Sequence, residues 1–93
     1  MTSLLSPTEI QSQLTSLPDW TLEGDTLQTI VTFKNFIEAI AFINKVVDPA
    51  EASGHHPDLA ISYNRVTIRL TTHDAGGLTH KDIAMAKTLS ALM

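Results

Sequence analysis

Two segments that each predict a β-hairpin constrain the fold of this chain more than any other feature. In the first, apolar and polar residues alternate over Thr26 to Phe33, after a short strand from Trp20 to Glu23 and the turn residues Gly24-Asp25. In the second, strands over 59–63 and 66–72 flank Asn64-Arg65, where asparagine tolerates the positive φ that such a turn requires. Because an isolated hairpin is marginally stable, we expect both hairpins to join into one four-stranded antiparallel sheet.

Helix-start signals lie on both sides of these hairpins. Ser6 and Glu9 form a capping box with a proline between them, and this first helix is expected to end at Pro18. Thr79 and Asp82 have the same spacing and predict the start of a C-terminal helix.

A longer helix is predicted between the hairpins, with Asn35 as its N-cap. Four apolar residues recur at helical spacing and are expected to face the core: Phe36, Ile40, Ile43 and Val47. Asp48-Pro49 has the form of a new helix start, since proline loses a backbone hydrogen bond inside a helix. We therefore expect a break or sharp kink near Asp48, followed by a short helical turn that carries Glu51 toward His55.

The element order α-β-β-α-β-β-α predicts an α+β fold, with helices packed on one face of the four-stranded antiparallel sheet. The sheet is expected to bury Ile61, Val66, Ile68 and Leu70 against the helices, with Trp20 and Tyr63 as further core or sheet residues. A chain of 93 residues supports one modest core, so residues 1–93 are expected to form a single domain.

Charge and composition exclude several classes of function. The net charge is −4, and the six basic residues are scattered, which argues against nucleic-acid binding. The chain has no cysteine and therefore no disulfide or thiolate chemistry. It lacks the pattern of a secretory signal and any apolar run of membrane-spanning length, which predicts a soluble cytoplasmic protein.

All four histidines lie between Glu51 and Asp82, and three of them belong to one series that has a carboxylate at each end. The series is, in chain order, Glu51, His55, His56, Pro57, Tyr63, His73 and Asp82. Histidine is the side chain whose ordinary pKa lies near neutrality, so it gives or takes a proton at physiological pH. Histidines near carboxylates therefore predict proton-transfer chemistry.

A metal site and a plain polar turn are the alternatives for His55 and His56. Side chains of adjacent residues point apart, whereas helical metal ligands prefer the i, i+4 spacing, and the chain has no His-x-x-x-His. We therefore expect no metal. Glu51 and Asp82 also have structural alternatives, the first as an exposed helical residue and the second as the acidic partner of the Thr79 cap.

The other two histidines differ in position. Strand alternation places His73 on the side of the sheet opposite the core, at a strand end beside a glycine-bearing loop, where functional side chains often project. His80 falls outside the series, in the first turn of the last helix, and is expected at the surface.

This series and its spacing resemble the motif of the pterin-4a-carbinolamine dehydratase family, and a looser likeness covers most of the chain. The resemblance implies dehydration of a 4a-hydroxytetrahydropterin to the quinonoid dihydropterin and water, after turnover of a pterin-dependent aromatic amino acid hydroxylase. It implies no cofactor and a homo-dimer or homo-tetramer. The family commonly has an aromatic residue two positions after the proline of the motif, where this chain has Leu59.

The resemblance also implies the roles of the site residues. We expect His55 to be the leading acid/base, His73 a second one from another side of the pterin, and His56 a residue that orients the substrate. Glu51 and Asp82 are expected to bind the pterin's amide and amino edge or to hold imidazole tautomers, since carboxylates accept two hydrogen bonds well.

A binding protein on the same fold is the alternative function. The resemblance includes members that act as coactivators of a transcription factor or as assembly chaperones for a carbon-fixing enzyme. A pure binding role predicts loss of the histidines, and His55, His56 and His73 are all present. The enzyme is therefore favoured.

Overall fold

A computed structural model of the chain describes residues 3–93. In chain order it contains α1 (Pro7–Leu14), β1 (Thr21–Glu23), β2 (Thr26–Thr32), α2 (Phe36–Ser53), β3 (Asp58–Ser62), β4 (Arg65–Leu70), a 3₁₀ turn (His73–Ala75) and α3 (His80–Leu92). The predicted α+β order is confirmed. No helix among these residues is long and apolar enough to cross a membrane.

The four strands form one antiparallel sheet in the order β1-β2-β4-β3. The two hairpins meet where β2 lies beside β4, with Leu27 opposite Leu70 and Thr29 opposite Ile68. The predicted joining of the hairpins is confirmed, and β1 and β3 are the two edges.

One face of the sheet carries the core. Val66, Ile68 and Leu70 alternate along β4 as buried residues, whereas Arg65 and Arg69, which occupy alternate positions of the strand, are exposed. A single cluster joins these strand residues to α2 and α3 through Ala39, Phe42, Val46, Ile83, Met85, Ala86 and Leu89. The helices therefore cover one face, as alternation along the strands predicts. Trp20 is buried as expected, and its indole N–H donates to the Ser90 hydroxyl at 2.8 Å.

The three predicted helix caps are present. The Ser6 hydroxyl accepts from the Glu9 backbone N–H, and the Glu9 carboxylate accepts from the Ser6 backbone N–H. The hydrogen bonds that this carboxylate accepts from Ser6, above all the one from the backbone N–H, lower the pKa of Glu9. The Asn35 side chain accepts from the Glu38 N–H at 2.9 Å. Each cap satisfies a backbone donor that the first helical turn leaves free, so the start of each helix follows from local sequence.

Two predictions for the second hairpin were wrong: Ile61 was expected to be buried, and Tyr63 was expected in the core or the sheet. Ile61 lies opposite Val66 but is 38% exposed, because β3 is an edge strand beyond the cover of the helices. Tyr63 is 65% exposed and occupies the turn with φ of +52°. The positive φ predicted for Asn64 was also wrong: its carbonyl and side-chain amide are instead hydrogen-bonded to the backbone of Phe33.

The predicted core face of α2 was wrong by about one residue. The buried residues are Ala39, Phe42, Val46 and Ala50. Phe36 and Val47 are half exposed, and Ile40 and Ile43 are intermediate. Two apolar stripes run side by side along this helix, and periodicity alone does not select which one packs on the sheet. The other stripe is only partly covered, with Phe36 and Val47 the most exposed of its members.

The predicted break at Asp48 was also wrong, since α2 continues through Pro49 to Ser53. Proline removes only the hydrogen bond to the carbonyl four residues earlier, and the core contacts of Val46 and Ala50 hold the helix on both sides of it. The helix ends at Gly54, whose φ of +63° is the left-handed conformation typical of a helix C-terminus.

Candidate active site

His55 joins the end of α2 to the start of α3. It follows the Gly54 cap, and its backbone N–H donates to the Ala50 carbonyl at 3.3 Å. Its Nε2 lies 2.6 Å from Oδ1 of Asp82, the third residue of α3. The His55 side chain is 12% exposed and that of Asp82 is fully buried. The pair therefore lies largely out of water, where such a contact is stronger than at the surface.

Two further donors hold the other oxygen of Asp82. Oδ2 accepts from the Thr72 hydroxyl at 2.7 Å and from the Thr79 backbone N–H at 2.9 Å. The hydroxyls of Thr72 and Thr79 are 2.8 Å apart, and both residues are buried. Among the described residues no buried side-chain nitrogen or oxygen lacks a partner. Asp82 thus caps α3, as predicted, and also holds His55.

This network determines which nitrogen of His55 is available for chemistry. An ionised carboxylate only accepts hydrogen bonds, so Nε2 of His55 carries a hydrogen and donates it to Asp82 Oδ1. In the neutral imidazole the lone pair is then on Nδ1. His55 can accept a proton through Nδ1 while Asp82 keeps the ring in place, as in other histidine–carboxylate pairs.

His56 forms a second pair, at the surface. Its Nε2 lies 2.5 Å from Oε2 of Glu51, and the two side chains are 60% and 69% exposed. They border a hollow of about 220 Å³ between α2 and β3, whose other walls include Val47 and Leu59. The hollow therefore offers an apolar wall beside an imidazole and a carboxylate. The prediction that Glu51 approaches His55 was wrong, because the last turn of α2 directs it to His56.

His73 begins the 3₁₀ turn after β4 and is exposed, as predicted. It borders a polar hollow of about 370 Å³ together with Asp25, Asp58 and Arg69. Thr72, the residue directly before this 3₁₀ turn, donates its hydroxyl to Asp82, so His73 is next in the chain to a member of the Asp82 network.

The structure thus brings four of the five predicted site residues into two pairs and leaves His73 apart from both. Within one chain, His55, His56 and His73 border three separate depressions. The depression beside His55 has a volume of about 230 Å³ and is also lined by the exposed His80. No group of three or more histidine, aspartate or glutamate side chains in residues 3–93 is arranged to hold a metal ion. The sequence did not reveal Thr72, because its contacts with Thr79 and Asp82 depend on the end of β4 lying beside the start of α3.

Comparison with known proteins assigns the chain to a family. A family model described as pterin 4 alpha carbinolamine dehydratase matches residues 3–92. The chain belongs to this family. Relatives named for the same dehydratase from Nostoc sp. and Trichormus variabilis are 63% and 62% identical, each over 99% of both chains.

Solved structures support the family fold. A Brucella melitensis protein described as a transcriptional coactivator/pterin dehydratase is 33% identical, with a TM-score of 0.92 over 97% of this chain and 98% of the other. A pterin dehydratase-like RuBisCO assembly factor from the alpha-carboxysome is 22% identical, with a TM-score of 0.64 over 78% and 84% of the two chains. At that identity the likeness concerns the fold alone.

Proposed function

We propose that this family member is a 4a-hydroxytetrahydropterin dehydratase, which releases water from the carbinolamine and forms the quinonoid dihydropterin. The observation that carries the proposal is the pair of histidine–carboxylate contacts within the family motif, His55 with Asp82 and His56 with Glu51. The substrate is the product of a pterin-dependent aromatic amino acid hydroxylase, so the protein would act after such an enzyme in tetrahydropterin recycling.

The reaction requires two proton transfers and no electron transfer. One proton goes to the 4a-hydroxyl, which leaves as water, and one leaves the neighbouring ring nitrogen N5, so the protonation state of the site is restored. His55 is the leading acid/base in this proposal, through its Nδ1. His73 is the second, from another side of the pterin. General acid/base catalysis of this kind contributes about 10²–10⁴-fold per group.

The two carboxylates divide their roles by burial. Asp82 is buried and its oxygens are engaged by His55, Thr72 and Thr79, so it acts by holding the His55 tautomer. Glu51 is 69% exposed and lies beside the apolar hollow, where it can accept hydrogen bonds from the pterin's amide and amino edge. His56 orients the substrate next to it.

We also propose that the reaction is independent of metal. His55 and His56 each direct one ring nitrogen to a different carboxylate, and this arrangement orients imidazoles for proton transfer instead of converging them on one ion.

Stopped-flow measurement of carbinolamine decay tests the function. Added protein should accelerate the decay, with and without a chelator, and His55→Ala should lower the rate by at least about 10²-fold. A decay that the folded protein leaves unchanged would refute dehydratase activity and favour the binding alternative. Activity that a chelator removes and zinc restores would refute the metal-independent reaction.

We propose that a second copy covers the exposed apolar surface formed by α2 and β3. This surface contains Phe36, Ile37 and Ile61, of which Ile37 is 78% exposed. The hollow lined by Val47 and Leu59 is left to the pterin in this proposal. β3 is also an open sheet edge, and such edges favour pairing with another strand. Exposed apolar side chains together with an open sheet edge fit a homo-dimer or homo-tetramer.

A further inference from the structure

Thr72 lies between the residues proposed to carry protons, and it belongs to neither histidine–carboxylate pair. Its hydroxyl is bonded to Asp82, the partner of His55, and its backbone continues directly into His73. The side chain is buried within this network.

The direction of the hydrogen bonds around Thr72 follows from the charge of Asp82. Because the ionised carboxylate only accepts, the Thr72 hydroxyl donates its one hydrogen to Oδ2. The Thr79 hydroxyl must then donate to Thr72, and its own oxygen accepts from the Lys81 N–H at 3.3 Å. The result is a chain of donors that ends on Asp82 and leaves Oδ1 for His55.

The backbone of Thr72 closes the turn that bears His73. Its carbonyl accepts from the N–H groups of Ala75, Gly76 and Gly77, and its own N–H donates to the Gly77 carbonyl at 3.0 Å. The Thr72 side chain is thus bonded to Asp82, the partner of His55, and its backbone is bonded to the turn that bears His73.

Resting on the proposed dehydratase function, we infer that Thr72 is a positioning residue of the site. Its hydroxyl fixes the Asp82 carboxylate so that Oδ1 faces His55, and it thereby keeps His55 in the Nε2–H tautomer with Nδ1 free to accept a proton. Without this hydroxyl, Oδ2 keeps only the Thr79 N–H as a donor, and the position of Oδ1 opposite His55 is held less firmly.

Thr72→Val and Thr72→Ser separate the hydroxyl from the rest of the side chain. Valine has nearly the same shape without the hydroxyl, and we expect it to lower kcat by about 10- to 100-fold because misplaced catalytic groups react slowly. Serine keeps the hydroxyl and should retain most of kcat. Thr29→Val is the matched control: Thr29 is also buried and donates its hydroxyl to a backbone carbonyl, that of Asp19, away from the network.

The tautomer of His55 gives a readout that does not depend on activity. Long-range ¹H–¹⁵N correlation spectra at alkaline pH distinguish Nε2–H from Nδ1–H imidazoles. We expect one Nε2–H pattern for His55 in the unmodified protein, Thr72→Ser and Thr29→Val, and a mixture in Thr72→Val. An Nδ1–H pattern in the unmodified protein would overturn the inference even if no variant folds. Three kinetic results would also overturn it: a kcat for Thr72→Ser as low as that of Thr72→Val, an unchanged kcat for Thr72→Val, or an equal loss of kcat in Thr29→Val.

Discussion

Asp82→Asn should invert the tautomer of His55 while leaving the network connected. The asparagine carbonyl can replace Oδ2 and accept from Thr72 and Thr79, because the opposite orientation would direct the amide NH₂ at the Thr79 N–H donor. The NH₂ group then takes the place of Oδ1, where it donates to Nε2 of His55. The ring hydrogen must move to Nδ1, and His55 loses the lone pair that we propose accepts the substrate proton.

The size of the effect follows from these contacts. Loss of a general base predicts a fall in kcat of about 10²–10⁴-fold, and the same exchange in a Ser-His-Asp triad costs about 10⁴-fold. Hydrogen bonds to charged groups contribute about 1.5–3 kcal/mol and neutral ones about 0.5–1.5 kcal/mol. With two bonds to Oδ2 weakened, we expect a loss of about 2 kcal/mol in the free energy of unfolding, or roughly 10 °C in Tm for a domain of this size.

Three measurements check this prediction together. Stopped-flow kinetics gives kcat, thermal unfolding gives Tm, and ¹H–¹⁵N spectra give the tautomer of His55. Asp48→Asn is the matched control, since it removes the same charge from an exposed residue of α2 that lines neither the His55 nor the His56 depression. A folded Asp82→Asn protein with kcat within a factor of a few of the unmodified enzyme, or with His55 still Nε2–H, would refute the reasoning.

Four further predictions test other parts of the molecule. His80→Ala should leave kcat within a factor of a few, because His80 is exposed and bonded to neither carboxylate of the site; a large loss would show that the histidines were wrongly chosen. Leu59→Trp should lower KM by roughly two- to tenfold through stacking on the pterin, measured by steady-state kinetics, and an unchanged KM would place the substrate elsewhere. Ile37→Glu should reduce the particle mass measured by light scattering, because Ile37 belongs to the apolar surface that we propose a second copy covers, whereas Thr15→Glu, an exposed position outside this surface, should not. An unmodified protein with the mass of a monomer would contradict the proposed assembly. Hydrogen bonds from Ser6 lower the pKa of Glu9, so its contribution to stability is complete above the ordinary value of 4.5 and is lost as pH falls through the lowered one. The stability difference between the unmodified protein and Glu9→Ala should therefore vanish in acid, and a difference that grows in acid would contradict this sign.

Local sequence rules predicted most of the secondary structure. The caps at Ser6, Asn35 and Thr79 act within three residues of themselves, so their signals are complete in the sequence. Alternation along β4 predicted its buried face for the same reason. The prediction at Asn64 failed although it was local, because bonds to Phe33 hold this residue and the neighbouring Tyr63 takes the positive φ.

The family motif could be recognised in the sequence, but the pairing of its residues could not. Glu51 was expected near His55 and instead contacts His56, because α2 continues as a helix through Pro49 to Ser53. The contribution of Thr72 was also invisible, since it depends on β4 ending beside the start of α3.

The sequence by itself determined the kinds of elements, their order and the residue types available for proton transfer, because caps, turns and periodicity act over a few neighbouring residues. Only the tertiary structure decided which stripe of α2 is buried, that β3 is an uncovered edge, and that Asp82 holds His55. These features depend on contacts between residues far apart in the chain: Asp82 and His55 are separated by 27 positions and become partners only when α2 and α3 pack together on the same sheet.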